Sequence, residues 1–314
     1  MSEVFYWRYR LKLAGGGERL NARTPGAEIE GALLRHADGG VACLQPWATL
    51  GQGSLDGSLA LLEAGGDSAL LRSCRRCMAL DGAARAAGVG LFEGKTVPRS
   101  HLSVPGWAEF SWLEEKFSSG FSTFKLKCGP DLQVELQRVR DLLARFGERL
   151  RLRLDFNECL DPQGVRRLVD LLGDAVAAID FIEDPVPYDC EIWQALSAEL
   201  PVDLAVDRAG SQAGAGAAVR VLKPAWEEVL QDPLRTVVTS AMDHPIGQLF
   251  AAYEASLFDG DLDECGLLTH WMFEANAFSE ALEVSDRRLV PPGGAGLGFG
   301  DQLEMLPWKA LKCD

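Results

Sequence analysis

Five sites along this chain carry residues that could do chemistry together: Lys125-Leu126-Lys127, Asp155, Glu183, Asp207 and Lys223. Each ends a short apolar run, delivered in order by Thr123-Phe124, Arg151-Leu152-Arg153-Leu154, Ala178-Ile179-Asp180-Phe181-Ile182, Leu204-Ala205-Val206 and Val219-Arg220-Val221-Leu222. Burying an unpaired charge at a strand tip is costly, so these charges need a reason. Three carboxylates flanked by lysines supply one, a divalent-metal cage with a base on either side. Hard oxygen ligands with open positions suit Mg²⁺, with Mn²⁺ the alternative.

Lys125 and Lys127 lie two apart on a strand and point to one face. Adjacent ammonium groups near a cation lower each other's pKa, which lets one act as a base near neutral pH. Lys223, on a later strand, can face Lys127 across the mouth. A base, a metal below it and a second cation opposite are the apparatus for removing a proton α to a carboxylate. The enediolate formed would be held by the metal and by Lys223. Singly, a Lys-x-Lys is usually a solvated strand edge, and an Asp at a strand end is often a helix cap. The ordered set carries the reading.

Spacing places the set on one architecture. Lys127 to Asp155 is 28 residues, Asp155 to Glu183 is 28, and Glu183 to Asp207 is 24. Each interval is the length of one βα unit, so each carboxylate falls at the C-terminal end of successive parallel strands. Strands are expected at Val97–Val104, Thr123–Cys128, Arg151–Phe156, Asp180–Glu183, Val202–Val206, Val219–Lys223, Arg235–Ser240 and Gly266–Thr269. Helices are expected at Ala108–Phe117, Leu132–Phe146, Gly164–Leu172, Glu191–Glu199 and Gly247–Leu257, with weaker helical signals late in the barrel. The fold class is α/β, a compact (β/α) barrel of the TIM type over 97–284, with some outer helices short or missing.

Residues 1–96 read as an N-terminal α+β capping domain. Val4 to Leu13 alternates apolar and basic residues, Glu30–Arg35 and Gly40–Leu44 flank a turn, and Gly57–Leu91 is helical. The tail, 285–314, is expected to return to that module.

With 314 residues, 47% hydrophobic and 25% charged, the chain reads as an ordinary globular protein. A net charge of −15 argues against nucleic acid. An anionic small-molecule carboxylate would therefore need a locally positive site. No long apolar run predicts a membrane span. The N-terminus lacks signal-peptide features, so cytoplasmic residence is the expectation. Cys74-Arg75-Arg76-Cys77 falls within a helical stretch and reads as reduced thiols. The four histidines, His36, His101, His244 and His270, have no zinc spacing. Neither Gly294–Gly300, which is expected to open no helix, nor Gly210–Gly216 matches a nucleotide-binding fingerprint.

The ladder resembles the enolase superfamily, in the muconate-lactonising-enzyme branch, with Lys-x-Lys on the second strand and Lys on the sixth. Phe124-Lys125-Leu126-Lys127-Cys128-Gly129, Leu152-Arg153-Leu154-Asp155-Phe156-Asn157, Phe181-Ile182-Glu183-Asp184-Pro185 and Val221-Leu222-Lys223-Pro224 carry the resemblance. Val237 to Asp243 followed by Gly247 resembles the seventh-strand motif. The short chain and the Arg-Leu-Asp-x-Asn and Lys-Pro wording are most similar to the o-succinylbenzoate synthases of menaquinone biosynthesis. That resemblance implies syn-dehydration of 2-succinyl-6-hydroxy-2,4-cyclohexadiene-1-carboxylate. In it Lys127 is the base, Lys223 the enediolate partner, and Asp155, Glu183 and Asp207 the Mg²⁺ ligands. Lys125 joins the catalytic set, and Asn157, Asp184 and Ser240 support these groups or touch substrate. An epimerase or racemase of dipeptides or N-acylamino acids in the same branch would use both lysines as bases. A metal-free binding barrel is the reading of another class, motivated by Arg208 directly after Asp207. Arg208 either points outward or sets positive charge beside the metal. Asp243-His244 and the capping loop Gln45–Gly51 also depart from the branch pattern.

Overall fold

A computed structural model describes residues 3–17, 19–21, 24–207, 214–228, 234–260 and 262–311. Arg208, Ala209 and the first part of the Gly210–Gly216 stretch lie outside the described residues.

The N-terminal module is built on β1 (Val4–Lys12), β2 (Arg19–Asn21), β3 (Thr24–Pro25), β4 (Glu28–His36) and β5 (Val41–Leu44). Strands β1, β4 and β5 form an antiparallel sheet backed by α1 (Leu55–Glu63) and α2 (Ala69–Ala87). The helical stretch expected as one is therefore two, broken at a turn with Gly65 at φ 68°. Cys74 and Cys77 are buried on α2, and their thiols donate to the carbonyls of Cys43 and Val41, so the pair is structural.

The barrel strands are β6 (Leu102–Ser103), β7 (Thr123–Lys127), β8 (Arg151–Asp155), β9 (Ile179–Glu183), β10 (Asp203–Val206), β11 (Val219–Leu222) and β12 (Arg235–Val238). They form one parallel sheet in that order. The ring is closed by residues 262–266 rather than by the expected strand Gly266–Thr269. Single bridges Thr236↔Leu262, Thr239↔Gly266 and Ser100↔Cys265 join this segment to β12 on one side and to the approach to β6 on the other. The expected strand Val97–Val104 shortens to two residues because its neighbour pairs only through these isolated bridges.

Helices α3 (Phe110–Ser118), α4 (Leu132–Phe146), α5 (Pro162–Leu172) and α6 (Cys190–Glu199) follow the first four strands, and α7 (Pro245–Ser256) follows β12. Asp131, Asp161 and Asp189 cap the starts of α4, α5 and α6 by accepting backbone N–H bonds. Among the described residues no helix separates β10, β11 and β12. A hairpin, β13 (Glu283–Ser285) and β14 (Arg288–Val290), leads into the tail. The glycine-rich stretch there does open a short helix, α8 (Gly300–Glu304), contrary to the sequence reading. Then β15 (Lys309–Leu311) pairs antiparallel with β1, Val4 opposite Leu311, and completes the cap sheet.

Period-two alternation divides the barrel residues. Phe124, Leu126, Leu152, Leu154 and Ile182 are fully buried in the large core cluster. The opposite face of the strands forms a small inner core of Phe181, Ala205, Val219, Val221 and Val237. The charged positions share that inner face, which is why they end at the barrel mouth.

Candidate active site

Register brings the ladder together. Lys127 lies opposite Asp155, and Asp155 opposite Glu183, on three adjacent strands. Glu183 is level with Ala205, so Asp207, two residues on, projects from the same face. Lys125 Nζ lies 2.6 and 2.7 Å from the Glu183 oxygens and 2.9 Å from Asp155 Oδ2. Lys127 Nζ lies 2.5 Å from Asp155 Oδ2. On the far side Lys223 pairs with Asp207 and sits 5.2 Å from the centre of the Trp226 ring.

The rim is conformationally tight. Asn157, Asp184 and Met242 follow β8, β9 and β12 with φ of 48°, 40° and 53°. Left-handed backbone costs a residue with a side chain about 1–3 kcal/mol and persists only where the surroundings enforce it. Two of these residues hold the carboxylate row, one through a side chain and one through the backbone. The Asn157 N–H donates to Asp155 Oδ1 at 3.1 Å, and Asp184 Oδ1 accepts from the Asp207 N–H at 3.0 Å. Ser240, expected to touch substrate or support the site, has its hydroxyl 2.6 Å from Thr269 Oγ1.

Electrostatics separates the two lysines of one strand. Burial opposes the charge of Lys125, but Asp155 and Glu183 outweigh it and raise its pKa. Burial also opposes the charge of Lys127, and there the pull of Asp155 and Glu183 is offset by the cations Lys125 and Lys223, so its pKa falls. Lys127 is thus the group poised to be a neutral amine. Burial raises Asp155 too, but the two ammonium groups reverse that and hold it well below the carboxylate range. Glu183 and Asp184 are raised, by burial first and then by neighbouring carboxylates.

Asp155, Glu183, Asp184 and Asp207 bring four buried carboxylates against three lysines. The donor set therefore fits a cation, being all hard oxygen with more carboxylates than lysines. Asn157 Oδ1, buried beside it, has no hydrogen-bond partner among the described residues. The cage is not closed in advance: among the described residues no three Asp, Glu, His or Cys side chains converge on one metal position. The Lys125 ammonium bridges Asp155 and Glu183.

A cleft opens above the carboxylate row, between the barrel mouth and the cap loop that carries Trp47. Lys125, Lys127, Asn157, Asp207, Lys223 and Ser240 line it, while Asp155, Glu183 and Asp184 lie beneath. Sequence reasoning missed His101 on the inner face of the first strand, Trp47 from the cap and Trp226 after β11. The indoles of Trp107, Trp193 and Trp308 each donate to a backbone carbonyl. The buried Nε1 atoms of Trp47 and Trp226, both in the cleft wall, have no partner among the described residues. For His101 a signal existed, since His101 and Ser103 are alternate polar residues in an apolar strand.

Residues 4–84 match the family model described as O-succinylbenzoate synthase, N-terminal domain, and residues 111–215 match Enolase C-terminal domain-like. An o-succinylbenzoate synthase of Bdellovibrio bacteriovorus is 30% identical over 334 aligned positions, covering 99% of both chains. The dipeptide epimerase of Enterococcus faecalis, solved with Mg and the dipeptide L-Leu-L-Tyr, superposes with a TM-score of 0.72 at 16% identity, covering 95% of this chain and 99% of that one. A muconate lactonizing enzyme of Pseudomonas fluorescens gives 0.71 at 17% identity, covering 95% and 96%.

Proposed function

The chain belongs to the enolase superfamily, in its muconate-lactonising branch, and we propose that it is an o-succinylbenzoate synthase of menaquinone biosynthesis. The substrate would be 2-succinyl-6-hydroxy-2,4-cyclohexadiene-1-carboxylate. The observation that carries the reading is the placement of Lys127 and Lys223 on two sides of one carboxylate row, each in contact with a different carboxylate of it. Full-length similarity to a synthase, with a cap matching the synthase N-terminal domain, supports that reaction over others in the branch.

Asp155, Glu183 and Asp207 would hold Mg²⁺ or Mn²⁺. The bound metal supplies Lewis-acid stabilisation of negative charge on the substrate carboxylate. Lys127, as the neutral amine, takes the proton α to that carboxylate. The Lys223 ammonium pairs with the enediolate oxygen that develops. The C–O bond on the same face then breaks, and Lys127 returns its proton to the departing hydroxyl, releasing water and 2-succinylbenzoate. Asn157 and Asp184 orient Asp155 and the Asp207 backbone, and Ser240 lines the wall beside the substrate.

Residues 1–96 would form the substrate-reading cap, 97–284 the barrel and 285–314 the returning tail. The two lysines also favour a second reading, a dipeptide epimerase or N-acylamino acid racemase in which each is a base. Assay of the cyclohexadiene substrate for the aromatic product tests the choice. Inactivity there with turnover of a dipeptide replaces the first reading by the second.

A further inference from the structure

His101 lies on the inner face of the first barrel strand, two residues before Ser103, which is level with Lys125. Its exposure is 1%, and it lines the floor of the cleft. Its Nδ1 lies 2.8 Å from Arg153 Nη1. A guanidinium can only donate, so Nδ1 accepts and the proton of the neutral ring sits on Nε2. Arg153 is itself held by Asp180, Asp263 and the Glu264 carbonyl at 2.7, 2.9 and 2.6 Å, which fixes the ring's orientation. Burial, then the cations Arg153 and Lys125, lower the ring's pKa well below the ordinary value, against a raising contact with the Glu264 carbonyl.

The Nε2–H so defined is buried and has no partner among the described residues. Thr239 Oγ1, on the cleft wall, is likewise without one. Gly266 packs closely against both, and its lack of a side chain is what lets them approach the cleft together. A Cβ there would fall 2.7 Å from Thr239 Cγ2 and 3.1 Å from His101 Nε2. Buried donors in native proteins are satisfied, and leaving one unmet costs about 1–3 kcal/mol. These two sit where the approach to β6, the end of β12 and the closing segment 262–266 meet, across the barrel from the carboxylates at the ends of β8, β9 and β10.

We propose that His101 is a substrate-binding residue, its Nε2–H donating, beside the Thr239 hydroxyl, to a carboxylate or carbonyl oxygen of the substrate. The inference rests on the active-site reading above and deepens it. The neutral donor adds direction without adding charge, so it positions the substrate between Lys127 and Lys223 without competing with the metal side for the reacting anion.

The test uses the full chain with Mg²⁺. The His101→Phe variant keeps the ring's shape but loses the donor, and Arg153 retains its other three partners. Loss of one such bond should cost about 10- to 100-fold in kcat/KM, chiefly in KM, with melting temperature and Mg²⁺ affinity near wild type. His101→Gln, which restores an amide donor, should recover most of the loss. Imidazole ¹⁵N spectra report independently of turnover. The Nε2–H resonance should move on adding 2-succinylbenzoate. A shift with benzoate alone assigns the ring carboxylate to His101, and a shift with succinate alone assigns the tail.

Wild-type kcat and KM in His101→Phe, or an Nε2–H signal unmoved by every ligand that binds, would overturn the inference and leave Nε2 serving a water. If the wild type turns over only a dipeptide, the synthase reading fails, while His101 is scored in the same way on that dipeptide.

Discussion

Gln45 of the cap donates its Nε2–H to the Met242 carbonyl, 3.0 Å away, across the seam between the N-terminal module and the barrel rim. Its Oε1 accepts from the buried Tyr9 hydroxyl at 2.9 Å. The cap loop that carries Trp47 is thus latched to the loop after the seventh strand. Gln45→Leu removes both bonds and should raise KM severalfold with a smaller effect on kcat, while lowering stability by about 1–3 kcal/mol. Steady-state kinetics and thermal denaturation measure the two effects, and an unchanged KM would contradict the latch.

Lys127→Ala should lower kcat by about 10²–10⁴-fold, the usual worth of a positioned base, with the fold intact. Because Lys127 must be neutral and its pKa is depressed, kcat/KM should rise with pH along a limb centred below the ordinary lysine value. Lys223→Ala separates the two chemistries: on a racemase substrate it should abolish exchange from one enantiomer only, and in the elimination it should weaken turnover as a lost oxyanion partner does. Full activity without Lys127 would remove it as the base.

Asp155→Asn should weaken Mg²⁺ by more than about 100-fold, beyond the effect usual for a group outside the ligand set. Ser240→Ala should leave Mg²⁺ affinity unchanged. Isothermal titration reads both, and a wild type that fails to bind at millimolar Mg²⁺ would remove the metal from the mechanism.

Asp243 is buried beside the latch, and burial pushes its pKa up to about 7 from an ordinary 3.8. The folded protein therefore holds this proton where the unfolded chain has released it. Stability declines as pH rises through the window from about 4 to 7 and stays reduced above it. Asp243→Asn should match wild type below about pH 4 and exceed it at pH 8 by at most about 4 kcal/mol, from (7 − 3.8) × 1.36. Denaturant melts across that range measure the difference, and parallel curves would show that Asp243 ionises freely.

The strand-end charges were legible because a closed barrel forces alternate residues inward, so Lys127, Asp155 and Glu183 declare themselves by period and interval. The closing segment was not, since 262–266 joins by isolated bridges and carries no apolar run of strand length. His101 was marked only by its alternation with Ser103, and its role became legible once Arg153 was seen to fix its tautomer. The placing of Asp155, Glu183 and Asp207 at successive strand ends was legible, but the side-chain pairing was not: Lys125, read as the neighbour that tunes Lys127, bridges Asp155 and Glu183.

Strand β15 lies against β1, joining Leu311 to Val4 in one sheet. During synthesis the first strand leaves the ribosome about three hundred residues ahead of this partner. The barrel, whose βα units pair with near neighbours in sequence, can assemble while the cap's outer edge still stands open. Such long-separation pairing is slow and exposes an unpaired strand meanwhile. The cap sheet is then the last part of the fold to be completed, after the barrel strands have paired.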